Sequence, residues 1–174
     1  MTQQLRLIEP SLTWQAAFLE MAAEFAATTD HRYQAAIADF AAYVARLQQF
    51  AHGTDLPAGY VPETTYWGAE GSTFVGCIRL RHHLTPALQQ IGGHIGYEVR
   101  PSKRRHGYGT QLLALTLERA WHLGLRRVLI TCDIDNIGSA RIIEKNGGRL
   151  AEQGRVAGHD KVISRYWIDL SSGD

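Results

Sequence analysis

The sequence predicts an α/β (α+β) domain: a mixed, mostly antiparallel sheet of six to seven strands with helices on both faces. Three observations carry this expectation. The chain has 174 residues, 45% hydrophobic and 20% charged, which suits a single domain over 1–174 and excludes a disordered or fibrous chain. Apolar residues recur at helical spacing in the first third and in short strand-length runs through the middle. Val128-Leu129-Ile130-Thr131-Cys132 is an apolar run of strand length, the mark of a strand covered on both faces.

The elements follow in order. Leu5-Arg6-Leu7-Ile8 alternates and stops at Pro10, a short first strand. Trp14, Phe18, Met21 and Phe25 share one helical face, predicting a helix over about 14–27 with Ser11 or Thr13 as its cap. Tyr33, Ile37, Phe40, Val44 and Leu47 predict one second helix over about 32–50, capped by Asp30 and ended by His52-Gly53. Gly and Pro mark 53–63 as a loop. Strands are expected over 64–69, 72–82 and 91–100, the first two joined by a hairpin turn at Glu70-Gly71. A helix over about 110–123 closes at Gly124 and places Trp121 in the core. A shorter one runs from Asn136 to Asn146 and stops at Gly147-Gly148. The tail supplies strands over about 149–156 and 161–170. No repeat, low-complexity segment or dividing linker interrupts this order.

Lys and Arg number 18 against 17 Asp and Glu, a net charge of +1, which speaks against nucleic acid and membrane surfaces as partners. The average hides an asymmetry. Met1 to Ala87 holds 5 basic and 8 acidic residues; Leu88 to Asp174 holds 13 and 9. Val99 to Leu117 contains Arg100, Lys103, Arg104 and Arg105 and no acid, so a compact anion site is expected there. Cys77 and Cys132 sit in apolar runs with no metal-ligand spacing. They read as buried hydrophobes in a reducing, cytoplasmic protein that needs no metal. No signal peptide or membrane span is evident.

The chemistry concentrates in YEVRPSKRRHGYGT, Tyr97 to Thr110. A strand ends at Pro101, a basic turn follows, and Gly107-Tyr108-Gly109 opens a helix. The first N–H groups of a helix lack intrahelical partners and lie at its positive end, so they attract a phosphate. Arginines and a lysine add formal charge there. The P-loop pattern is excluded because Gly109 is followed by Thr110-Gln111, and the dinucleotide fingerprint because Leu112 stands where a third small residue belongs. Gly-Tyr-Gly alone also fits a solvated basic turn.

Arg104-Arg105-His106-Gly107-Tyr108-Gly109 resembles the R/Q-x-x-G-x-G/A motif of the GNAT superfamily of N-acetyltransferases. Val99-Arg100-Pro101 matches the V-x-P that precedes it, and Asn136 to Ser139 with Glu144 to Gly147 resembles the family's N-x-x-S/A…E-K-x-G segment. The resemblance implies a sheet splayed between its fourth and fifth strands, with acetyl-CoA in the opening. It implies that Tyr97, Val99 and Arg100 meet the pantetheine arm. Arg104, Arg105, His106, Gly107, Tyr108, Gly109 and Thr110 would meet the pyrophosphate, and Asn136, Ser139 and Ile143 would line the arm's other side. Asn136 also reads as a helix N-cap.

The implied reaction is direct attack of a primary amine, on a small molecule or a peptide, on the thioester. An alkyl amine is mostly protonated at pH 7, so a base or a water chain must act. Glu98 and His94, on one strand face, are the candidates; Glu98 also reads as an arginine partner and His94 as a structural histidine. The tyrosine that the family often carries before Glu-Lys is Ile143, and the phenylalanine after the glycine is Gly148. Tyr166 or Tyr97, or solvent, would then protonate the thiolate. Arg79, Arg81, His82 and His83 read as a solvated strand end or a cleft lining. Trp67, Tyr66, Tyr166 and Trp167 read as an acceptor pocket or as packing. A non-catalytic acyl-CoA sensor or interaction module is the alternative function, and a dimer through the terminal strands is a further expectation.

Overall fold

The computed structural model describes residues 4–171. β1 (Arg6–Ile8) leads through a 3-10 turn at Leu12–Trp14 into α1 (Gln15–Ala27), then α2 (Gln34–Ala38) and α3 (Phe40–His52). β2 (Glu63–Glu70), β3 (Thr73–Arg81), α4 (Pro86–Gln90) and β4 (Ile95–Val99) follow. Then come α5 (Tyr108–His122), β5 (Arg127–Asp133), α6 (Ile137–Lys145), β6 (Arg149–Arg155) and β7 (Val162–Asp169). β1 to β4 pair in sequence order as one antiparallel sheet. β5, β6 and β7 form a second with β7 in the middle.

The two sheets touch at one antiparallel bridge, Gly93 to Ile130, where His94 N–H donates to Leu129 O at 2.7 Å. Gly93 makes this approach possible: its φ is +62°, and a Cβ there would collide with the Leu129 carbonyl. Beyond the bridge β4 has, among the described residues, no strand on its outer edge, so the sheet parts between its fourth and fifth strands as expected. The β3–β4 register runs unbroken from Leu80–Ile95 to Gly76–Val99. The register shifts lie instead in β2 at Gly68/Ala69 and in β6 at Leu150/Glu152.

Strand alternation sorts two cores. One face of the first sheet presents Ile78, Leu80 and Ile95 to Leu112 and Leu113 of α5. The other presents Trp67 and Cys77 to Phe18, Met21, Phe25, Phe40 and Val44 of α1 and α3. Each such large side chain contributes about 1.5–3 kcal/mol by leaving water.

Four local expectations change. The helix expected over 32–50 breaks at Asp39, which adopts φ −151° and caps α3 by accepting the Ala42 N–H at 2.9 Å. The break turns Ile37 outward, 47% exposed, and buries Ala36 instead. Asp30 accepts the Arg32 N–H in the preceding turn rather than capping a long helix. The Ser11 and Thr13 hydroxyls bond each other at 2.8 Å and cap nothing. Trp121 is half-buried beneath the Arg126 guanidinium, 4.0 Å from its ring centre, rather than in the core. α4, unforeseen, is set by Thr85 accepting the Leu88 N–H and by Pro86 at its first position.

Candidate functional site

The open edge of β4 is the centre of the site. Arg100 N–H donates to Val75 O and Arg81 N–H to His94 O, both at 2.8 Å. These bonds place the even-numbered residues of β4 against β3. The N–H and C=O groups of Ile95, Tyr97 and Val99 therefore face the gap between the sheets. At the end of that edge the chain turns through Pro101–Lys103, passes Arg105 at φ +64° and Gly107 at φ +84°, and enters α5. The first intrahelical bond is Gln111 N–H to Gly107 O at 3.2 Å, so the N–H groups of Tyr108, Gly109 and Thr110 precede the ladder. Gly109 is buried because α5, α6 and β4 converge on it: a Cβ would lie 2.6 Å from Ile142 Cδ1. Asn146 fixes the two helices by donating to Thr110 O and Ile142 O at 3.2 and 2.9 Å. His106 is held by its own turn, Nδ1–H donating to Arg104 O at 2.7 Å.

The basic cluster is divided, contrary to its expected common use. Arg100 is 12% exposed and donates from Nε to Glu24 at 2.7 Å. Glu24 also accepts the N–H and hydroxyl of Ser102. Burial opposes ionisation of Glu24, but these bonds overcome it and hold the carboxyl below its ordinary range. Arg100 thus ties the loop to α1. Arg104 turns back as well: Nε donates to Val99 O at 3.2 Å and its guanidinium lies over Phe25. Arg105 and Lys103 remain as the loop cations without an ion pair among the described residues.

Glu98 and His94 do lie on one face of β4, both buried, but each is engaged. Glu98 accepts from Arg79 twice, at 2.8 and 2.6 Å, and from the Tyr33 hydroxyl at 2.6 Å; Arg32 approaches at 3.2 Å. This corrects the reading of Glu98 as a free base, because two guanidiniums and a phenol occupy its oxygens. His94 Nδ1 accepts the Leu129 N–H at 2.9 Å, so the neutral ring carries its proton on Nε2 and offers no lone pair to an amine. Burial, with Arg81 nearby, lowers its pKa to about 4.

A pH dependence of stability follows. Below the ordinary histidine value of 6.5 the unfolded chain takes up a proton that folded His94 refuses. Stability therefore falls as pH drops from about 6.5 to about 4, by about 3 kcal/mol, and this contribution changes no further below that. Urea unfolding across that window should show the slope in the natural protein and a shallower one in His94→Gln; equal slopes would remove the assignment.

Across the gap, Tyr97 reaches from β4 to α6, its hydroxyl 2.8 Å from Ser139 Oγ. Burial raises the Tyr97 pKa to about 12, so it stays protonated. Asn136 caps α6 by accepting the Ser139 N–H at 3.0 Å. Ile143 is fully buried in the core, which corrects its assignment to the cofactor surface. Gly148 packs on it, a Cβ there colliding with Ile143 Cγ2 and lying 2.8 Å from its carbonyl oxygen, so the two motif departures are in contact. Tyr166 is 5% exposed on β7 opposite Ile130 and Leu150. Its pKa is raised first by burial and then by the proximity of Cys132 and Glu144. Trp67 is core, and Trp167 lies under Arg127. Arg79 and Arg81 are pinned rather than solvated, Arg81 by Glu63 at 3.0 Å and by the carbonyls of Gly92 and Gly93. Arg32 and Tyr33 were not foreseen as site residues; their partner lies more than sixty residues away in sequence, so no local pattern could mark them.

Among curated proteins none matches the sequence. Solved structures resemble the fold throughout. One is the Salmonella typhimurium acetyltransferase that modifies the N-terminal serine of 50S ribosomal subunit protein L7/L12. It is 17% identical, with 98% of this chain and 97% of that one covered and a TM-score of 0.71. Another is Mycobacterium smegmatis RimJ in complex with CoA-disulfide, 18% identical over 95% and 81% of the chains, TM-score 0.73. A third is a spermidine N-acetyltransferase chimera from Vibrio cholerae, 13% identical over 95% of each chain, TM-score 0.66. The family model of the acetyltransferase (GNAT) domain matches residues 5–149, from β1 through the open edge, the glycine turn and α6. With that span covered, the chain belongs to the GNAT acetyltransferase family.

Proposed function

We propose that the chain moves the acetyl group of acetyl-CoA to a primary amine by direct attack. The observation that carries this reading is the exposed edge of β4, which runs straight into the unpaired N–H groups of Tyr108, Gly109 and Thr110. The edge groups of Tyr97 and Val99 suit an amide-bearing pantetheine arm, and the turn from Arg105 to Thr110 suits its pyrophosphate. Asn136 and Ser139 line the opposite wall. On this reading the Val99 N–H donates to the oxyanion. Attack of the amine nitrogen on the thioester carbonyl carbon forms the C–N bond and breaks C–S; the amine's proton leaves to water and the thiolate takes one.

Since Glu98 and His94 are occupied, the amine must arrive deprotonated from solvent. The reading therefore favours weakly basic amines. A peptide α-amine, with a pKa of about 7.7–8.0, is far more often neutral at pH 7 than a lysine-like amine at about 10.4. The burial of Ile143 in place of the family's tyrosine supports a second reading, an acyl-CoA-binding protein without turnover. Thermal unfolding tests the cofactor: coenzyme A at about 100 times its Kd should stabilise the fold by about 2.7 kcal/mol. A larger shift with ATP would contradict it.

A further inference from the structure

The glycine turn enters α5 without a capping side chain. Its N-cap is Gly107, at φ +84°, and no side-chain cap bond is made. Arg105, at φ +64°, is a second left-handed position in the same turn. A residue with a side chain keeps that geometry only where its surroundings impose it. Two carboxylates from distant segments hold the ends of the turn. Glu24 of α1 holds the near end through Arg100 and both donors of Ser102. Glu70 of β2 holds the far end: its Oε2 accepts the Tyr108 hydroxyl at 2.6 Å. That bond is the first cause of a raised Tyr108 pKa, so the hydroxyl keeps its proton.

Strand and helix spacing bring Glu70 to Tyr108. Gly68 and Glu70 lie two residues apart on one face of β2, and Leu112 and Tyr108 lie one turn apart on α5. Two strand residues span about 6.8 Å and four helical residues about 6 Å, so the two elements run in step. The first rung is Gly68 against Leu112, where a Cβ on the glycine would collide with Leu112 Cδ2. The second is Glu70 against Tyr108. The two-residue turn Gly71-Ser72, with Gly71 at φ +61°, sets Glu70 opposite Thr73. Glu70 makes no ion pair among the described residues. Its charge stands one side chain from the N–H groups proposed to take the pyrophosphate, where charge alone would repel a polyanion.

We infer that Glu70 is a positioning residue for coenzyme A: through the Tyr108 hydroxyl it fixes the entry of α5, so that the N–H groups of Tyr108, Gly109 and Thr110 converge on the pyrophosphate. The inference rests on the acetyl-CoA reading of this turn. Calorimetric titration of coenzyme A into the natural protein and four variants tests it. Glu70→Ala and Tyr108→Phe should each raise the Kd about tenfold. The double variant should bind no more weakly than either single one, because both remove the same bond. Glu70→Gln keeps an acceptor for the hydroxyl and should recover most of the affinity. A carboxylate acting only through its charge predicts the opposite sign, tighter binding in both Glu70→Ala and Glu70→Gln. Kd values for Glu70→Ala and Tyr108→Phe at or below the natural one would overturn the inference alone. So would Glu70→Gln as weak as Glu70→Ala, or single effects that multiply in the double variant. No binding of coenzyme A by the natural protein would overturn the cofactor reading together with it.

Discussion

Glu98→Gln should lower the unfolding free energy by about 3 kcal/mol, because it leaves the Arg79 and Arg32 guanidiniums facing a neutral amide in a buried setting. For a chain of this length that corresponds to a fall of roughly 10 °C in Tm. Glu98 joins three segments: β4 itself, β3 through Arg79, and the turn before α2 through Arg32 and Tyr33. The same variant should leave the shape of the pH–rate profile unaltered, the rate still rising with pH through the ionisation of the amine. A profile that loses an ionisation on Glu98→Gln, with stability little changed, would return the carboxylate to the role of base.

The second large effect is expected at the junction of the sheets. Gly93→Ala places a Cβ against the Leu129 carbonyl and imposes φ +62° on an L side chain. Relief requires β4 and β5 to separate at their one bridge. A loss of about 3 kcal/mol or more is expected, with coenzyme A affinity falling alongside because the open edge of β4 is registered from that junction. Gly124→Ala is the control, since its φ is +97° but a Cβ there meets nothing within 4 Å. It should cost only the backbone term, about 1 kcal/mol. Denaturant midpoints of the two variants separate strain from collision.

The order of elements was legible because most of them carry their own local signal. Gly53, Gly71 and Gly124 end or turn segments at positive φ, and the apolar face of α1 reads directly from spacing. The break at Asp39 was hidden because Phe40, Val44 and Leu47 keep the helical period on either reading. The turn proposed to take the pyrophosphate was legible from Gly107 and Gly109. The partition of its arginines was not: whether Arg100 meets a ligand or Glu24 depends on α1 lying beside the loop, a tertiary fact absent from the local pattern. Glu98 illustrates the same limit. Its face on β4 was readable by alternation, but Arg79 arrives through strand register and Tyr33 through helix packing. Together they convert a candidate base into a tie between segments.

Acetyl transfer is tested by mixing the purified protein with acetyl-CoA and a panel of primary amines that spans peptides, polyamines and simple alkylamines, then following free thiol release together with the mass of the amine product. The expected result is thiol release matched one for one by an acetylated amine. Tight binding of acetyl-CoA with no thiol released above the rate without protein, across the whole panel, would contradict it.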